Sequence, residues 1–270
     1  MKGKLRFSVI VFWGTFLSPI WFGAVGMCVL LHEFSHMLMC RALSIPILGV
    51  DALPWGVTAR ADAIYESSSQ FAVSVAGPMA NFFLLFFHPV ISGIFSQETA
   101  EVFALANLAN GLLNLIPALP LDGGIILKSV ISSHLGFVRG FRIMLKLSAL
   151  ISAVIILIGI YILRETAVNF SYIVAGVFML WNIRHEKELL VCLKKKILTG
   201  EIKSKPRLVR IKVRPDLNAI KIVDRISPSY TLIICPETKG NQGKSISQKE
   251  LLEKVLKNPS ITLGECIENF

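Results

Sequence analysis

Residues 30 to 38 read LLHEFSHML and sit inside an apolar run, Trp21 to Leu43, long enough to cross a bilayer. Ionisable side chains within a span are expensive unless they pair or face a wet cavity. Three of them within five residues, His32, Glu33 and His36, are hard to explain as packing. On a helix His32 and His36 stand about 40° apart around the axis and one turn apart along it, so both imidazoles can converge on one ion. In this H-E-x-x-H arrangement Glu33 is the general base, taking a proton from water activated by the metal, which also polarises a scissile carbonyl.

Composition places that stretch in a membrane protein. Of 270 residues 53% are hydrophobic, and the mean hydropathy of +0.63 is too high for an ordinary soluble domain. Charge is unevenly shared: Arg184 to Phe270 holds 18 of the 28 basic and 10 of the 18 acidic residues, a basic half following an apolar one. The five cysteines form no C-x-x-C and no secreted framework, and are expected to stay reduced. The start MKGKLRFSVIVFWGTFLS has no small-x-small cleavage site and is expected to be a retained membrane segment rather than a leader.

Apolar runs at 7–17, 21–43, 71–95, 102–119, 143–163 and 168–183 predict about six transmembrane helices, with five as the alternative count. Lys and Arg collect at the N-terminus, after the fourth run and after the sixth, which predicts a multi-pass protein with both termini cytoplasmic. Between the second and third runs, 44–70 carries Gly, Pro and short alternating apolar pairs, the pattern of short strands or a re-entrant loop. Beyond Lys205, RLVRIKVRP, AIKIVDRI and TLIICPE are strand-like or a short amphipathic helix, and SQKELLEKVLKN has helical spacing with Ser247 as its cap. The expected organisation is a membrane domain over 1–183, a basic juxtamembrane linker over 184–204 and a small cytosolic α+β domain over 205–270.

Catalytic zinc usually takes three protein ligands and leaves one position to water, so a third ligand must come from elsewhere. Of the remaining acids in the membrane half, most lie in loops or beside span ends. Asp122 alone follows an apolar run and precedes two glycines, in NLIPALPLDGGIIL. Pro117 and Pro120 should interrupt that helix and Gly123 and Gly124 should let the backbone turn, carrying a carboxylate inward. Cys28 stands about 12 Å along the axis from His36 and is read as packing.

Taken in order, HEFSH, AGPMAN (Ala76 to Asn81) and NLIPALPLDGG (Asn114 to Gly124) closely resemble the three signatures of the site-2 protease family of intramembrane zinc metalloproteases. The resemblance covers roughly residues 20 to 135. It implies that His32, His36 and Asp122 bind one Zn2+, that Glu33 is catalytic, and that Asn114 and Asn81 help shape the substrate site. The stretch between His36 and Asp122 has no room for a PDZ domain beside a span, and GKSISQKELLEKVLKNPSITLGECI is similar to the second half of a CBS module, without a tandem pair. That order resembles the stage IV sporulation protease FB group, which implies a membrane-associated pro-sigma factor as substrate and inhibitory membrane proteins as partners. The CBS likeness implies a place for ATP or another adenine nucleotide and a route to homo-oligomers.

The reading that follows is regulated intramembrane proteolysis. A helix hides its carbonyls, so a substrate must be extended before water attacks, and ILGVDALPWGV could offer the strand edge that holds it. The rival classes are a membrane metal transporter, which would need polar residues strung along several helices, and a catalytically silent scaffold, which would hold no metal. The basic segment KKKILTGEIKSKPRLVRIKVR has no interleaved aromatics and follows the last span directly, so it suits anionic membrane lipids rather than nucleic acid.

Overall fold

The computed structural model describes residues 19–53, 56–61, 67–166, 170–199, 207–214, 216–219, 222, 230–236, 245–258 and 260–268. The first expected span, 7–17, lies outside them, as does AIKIVDRI apart from Ala219 and Ile222. The chain divides into two compact units, one of Met1–Val130 with Ile143–Glu186 and one of Ile131–Arg142 with Lys187–Phe270.

The first unit opens with α1, Pro19–Ala42. This helix is apolar nearly all round, so its two faces differ in what they meet rather than in hydrophobicity. Met27, Leu30, Phe34 and Leu38 form an exposed stripe, while Cys28, His32, His36 and Cys40 are buried on the opposite side. A tight turn with Ser44 in the left-handed region (φ 56) leads to β1, Ile47–Leu53, and β2, Gly56–Ala61. They pair antiparallel, Val50 with Ala59 and Leu53 with Gly56, with an irregularity between Ile47 and Gly49. Short strands, one of the two forms expected for this stretch, are what it adopts, and both lie against α1.

Next come α2, Ser67–Leu85, α3, His88–Ile94, and α4, Gln97–Asn114. Helix α4 starts where Ser96 caps it, the hydroxyl accepting the Thr99 N–H at 3.2 Å. Helices α1, α2 and α4 pack on one another. The apolar run at 102–119 ends early as a helix: α4 stops at Asn114, and a non-helical segment from Leu115 to Leu121, with Pro117 and Pro120 and a cis Leu119–Pro120 peptide, leads into α5, Asp122–Leu135. Gly123 and Gly124 do not turn the chain. They lie in the first turn of α5, where an added Cβ on Gly123 would come 2.7 Å from the Ile116 carbonyl oxygen and one on Gly124 2.6 Å from that of Ala118. Their missing side chains let the new helix start against the segment that precedes it.

Helix α6, Phe137–Thr166, and helix α7, Ser171–Thr199, complete the helical part. Over their first-unit portions they approach closely at Gly159, beside Ile173, and Gly176, beside Ser152 and Ile156, as small residues allow between membrane helices. Among the described residues two helices are long and apolar enough to cross a membrane, over Gly23–Ala42 and Phe137–Arg164, and α2 with α3, bent by 57°, could form a third crossing. These are the helices of an integral membrane protein. Helix α7 continues through 184–199, so that part of the expected linker is helical.

The second unit contains β3, Arg207–Val213, β4, Tyr230–Pro236, β5, Ile246–Ser247, α8, Gln248–Lys257, and α9, Leu263–Glu268. The sheet order is β3-β4-β5, with β3 and β4 parallel and β4 and β5 antiparallel. Ile234, Ile246, Leu251, Leu252, Val255, Leu263, Cys266 and Ile267 are among its buried apolar residues. The unit is α+β, as the alternating and helical patterns require. Ser247 caps α8 as its spacing predicts.

Candidate metal centre

One turn of α1 supplies two imidazoles and the start of α5 supplies a carboxylate. His32 Nε2 lies 3.0 Å from Asp122 Oδ2, His36 Nε2 lies 3.3 Å from the same oxygen, and the two Nε2 atoms are 3.1 Å apart. All three residues are buried. The rings meet edge to face, 84° between their planes, so both aim their Nε2 at the space that Asp122 reaches.

The donor set fits a cation. A tetrahedral site with bonds of 2.0–2.1 Å has ligand-to-ligand edges of about 3.3 Å, and the three edges here are 3.0, 3.1 and 3.3 Å. With both rings protonated at Nδ1, the two imidazoles and the carboxylate present lone pairs to one point, an arrangement that a positive ion stabilises. Among the described residues His32, His36 and Asp122 form the one His/Cys/Asp/Glu group with ligand atoms close enough to share an ion.

The opposite ring nitrogens are held as well. His36 Nδ1 donates to the Val73 carbonyl at 2.7 Å, and Asn81 Nδ2 lies 3.1 Å from His32 Nδ1. Both partners are on α2, so that helix orients both rings from behind. It can come so near because residue 77 is glycine: a Cβ there would lie 2.6 Å from His32 Cε1 and His36 Cε1. A carbonyl partner such as that of Val73 fixes the tautomer and direction of the His36 ring and raises its basicity as a ligand, while Asn81 holds the direction of the His32 ring.

Glu33 is buried on α1 beside the pair, one helical turn before His36 and so on the neighbouring face. Asn81, implied to shape the substrate site, is wholly buried against His32. Asn114, given the same role, ends α4 and donates to the Asn110 carbonyl at 3.0 Å and to its side-chain oxygen at 3.1 Å. The structure thus brings His32, His36, Asp122 and Asn81 together, while the bonds of Asn114 stay within its own helix. Cys28 is buried between helices, its thiol donating to the Ala106 carbonyl at 3.5 Å. Val73 and Gly77 were not singled out by sequence reasoning. Gly77 sits inside the AGPMAN motif, where a glycine in a helix hints at close approach, but any residue type could supply the Val73 carbonyl.

No protein-family model matches the chain. It is 25% identical over 167 residues to a zinc metalloprotease of Methanocaldococcus jannaschii, covering 60% of this chain and 48% of that protein. To stage IV sporulation protein FB of Bacillus subtilis it is 31% identical over 162 residues, covering 58% of this chain and 55% of that one. The chain therefore spans about half the length of the curated relatives it matches. Its fold superposes on the solved site-2 protease of M. jannaschii with a TM-score of 0.52 at 24% identity, over 66% of this chain and 84% of the other. The chain therefore shares its fold with that site-2 protease and is similar in sequence to part of a zinc metalloprotease and of a stage IV sporulation protein.

Proposed function

We propose that this chain is an integral-membrane zinc metalloendopeptidase that carries out regulated intramembrane proteolysis. The observation that carries the reading is the triangle of donor atoms from His32, His36 and Asp122, whose 3.0–3.3 Å edges match a tetrahedral zinc site with one position left over. Zinc held there would polarise the scissile carbonyl and bring the pKa of water close to 7. Glu33 takes the proton from the attacking water and returns it to the leaving amine, a role suited to a buried carboxylate beside the ligands. Val73 and Asn81 hold the imidazoles in register during the reaction. The packing around the site restricts solvent, and the hairpin of β1 and β2 leaves outer strand edges beside α1 on which an extended substrate segment can pair.

The substrate in this reading is a membrane-associated protein, specifically a pro-sigma factor processed during sporulation. The likeness to a protein named for stage IV of sporulation supports it, together with the order of motifs and C-terminal unit. The chain would cross the bilayer several times, about six by its apolar runs, with both termini cytoplasmic, so that the α+β unit reads as a regulatory CBS-like half-module. That unit is where an adenine nucleotide and a second copy of the chain would bind. Inhibitory membrane proteins would be the chain's partners, as the resemblance to the sporulation protease group implies.

The test is co-expression with a membrane-tethered pro-sigma factor, comparing the unmodified chain with Glu33→Gln. Processing should occur only with glutamate at 33, at a rate reduced about 10²–10⁴-fold by the substitution, while zinc per chain stays the same. Normal cleavage by a zinc-loaded Glu33→Gln protein would remove the assigned base. If the chain purified in detergent holds no zinc, the protease reading itself fails.

A further inference from the structure

The segment that delivers Asp122 is not helical, so its backbone polar groups need partners from outside the helix ladder. Residues 115 to 121 lie between α4 and α5, and Pro120 has no N–H to give. Within the segment Ala118 donates to the Ile116 carbonyl at 2.7 Å and Leu121 to that of Ala118 at 2.9 Å. The Leu119 N–H turns instead to α6, donating to the hydroxyl of Ser148 at 2.8 Å. Ser148 is fully buried, and its own proton goes to the Met144 carbonyl at 2.7 Å. The hydroxyl thus both donates and accepts, and the amide that it holds is three residues upstream of the carboxylate.

The other anchors of this segment are apolar. Ala118 and Leu121 pack with Met179, against Ile116, Ile151 and Ile155. Apolar contact is non-directional and fixes depth better than rotation, whereas a hydrogen bond weakens steeply off axis. A metal ligand must be placed within a few tenths of an ångström, which is a demand on rotation.

We propose that Ser148 is a positioning residue for the metal centre: by holding the Leu119 amide it fixes the segment that presents the Asp122 carboxylate to His32 and His36. This rests on the reading of Asp122 as a ligand. A hydroxyl that only satisfied a buried amide would matter to stability and leave metal retention alone, so the two roles separate by measurement.

The full chain in detergent, loaded with zinc, is compared as unmodified protein, Ser148→Ala, Ser148→Thr and Ser152→Ala. Ser152 is the control: it is equally buried on the same helix, but its hydroxyl donates to the Ser148 carbonyl at 2.7 Å, away from the segment. Zinc release to excess chelator and the absorption of the cobalt-substituted protein are read beside thermal unfolding. Ser148→Ala should release zinc about tenfold faster or more, within the range seen for outer-shell partners, with altered cobalt bands. Ser148→Thr keeps the hydroxyl and the bond back to residue 144 and should restore slow release. Ser152→Ala should match the unmodified chain. Unchanged release and cobalt bands in Ser148→Ala, or equal acceleration in Ser152→Ala, overturn the proposal. If Ser148→Ala does not accumulate, Ser148→Cys replaces it under the same criteria. Failure of the unmodified chain to retain zinc brings down the metal-centre reading first, and this inference with it.

Discussion

Asn81 stands behind His32: its side-chain nitrogen is 3.1 Å from Nδ1, while Nε2 on the far side of the ring is 3.0 Å from Asp122. With Asn81 donating, a neutral His32 ring keeps its proton on Nε2, where it points at the carboxylate. Metal at Nε2 requires the proton on Nδ1 instead, and Asn81 then accepts it by turning its amide over to present the oxygen. Asn81→Leu removes both options in a wholly buried place. Zinc affinity should fall about 10–100-fold, whereas Asn81→Asp, which keeps an acceptor, should lose less. Competition titration against a zinc indicator measures this, and equal affinities for the three proteins would count against the orienting role.

Gly77 sets how close α2 comes to the ligands. A methyl group there would overlap His36 Nε2 and sit 2.6 Å from His32 Cε1, so the rings or the helix must shift. Overpacking of this kind costs roughly 1–3 kcal/mol, and here the strain falls on the ligands. Gly77→Ala should therefore lose zinc and cleavage together, while Gly93→Ala, whose Cβ meets nothing within 4 Å, should change neither. Zinc per chain after gel filtration is the readout; full occupancy in Gly77→Ala would show that the helices can part without cost.

Metal removal would separate the proposed ligands from the proposed base. A chelator should abolish cleavage and added zinc restore it, with one ion rebound per chain. Asp122→Ala leaves only two imidazoles, their Nε2 atoms 3.1 Å apart, and should not rebind at the same zinc concentration. The expected loss of affinity exceeds the 10–100-fold typical of outer partners. Calorimetric titration would expose the error if Asp122→Ala bound zinc as tightly as the unmodified chain.

The clustering of His32, His36 and Asp122 was legible because it depends on two things a sequence displays, helical spacing and the cost of ionisable groups in an apolar run. His32 and His36 follow from the first. Asp122 stood out because it was the one acid attached to a broken apolar run. The glycines beside it were harder: Gly123 and Gly124 read as a turn, yet the turn lies earlier, at 115–121, and the glycines serve the approach of α5 to that segment. What packs against a glycine is settled by tertiary structure, not by its neighbours in sequence. The Val73 carbonyl and Ser148 carry no local signal, because every residue has a carbonyl and any serine in an apolar helix can bond to the carbonyl four residues back. The cap at Ser247 was legible from cap chemistry, which is local, whereas the Gly, Pro and short alternating pairs of 44–70 left short strands and a re-entrant loop both open.

The C-terminal unit offers a prediction independent of the metal. Ser247 Oγ accepts the Glu250 N–H at 3.3 Å and Glu250 Oε2 accepts the Ser247 N–H at 3.0 Å, a reciprocal capping box at the start of α8. Ser247→Ala should destabilise this helix by about 1 kcal/mol. The bond from the Ser247 backbone N–H, then that from its hydroxyl, holds the Glu250 carboxyl below the usual glutamate range. Because the folded value is the lower one, the stabilisation is present above the unfolded value and is lost as pH falls through the folded one. Hydrogen exchange at the first-turn amides of α8 in the full chain should therefore lose protection on acidification, after correction for intrinsic rates. Glu250→Gln keeps an acceptor without a titrating charge, so its protection should be flatter over that interval. A pH dependence identical in the two proteins would mean that the fraying of α8 is governed by the packing of Leu251, Leu252 and Val255 and not by its cap.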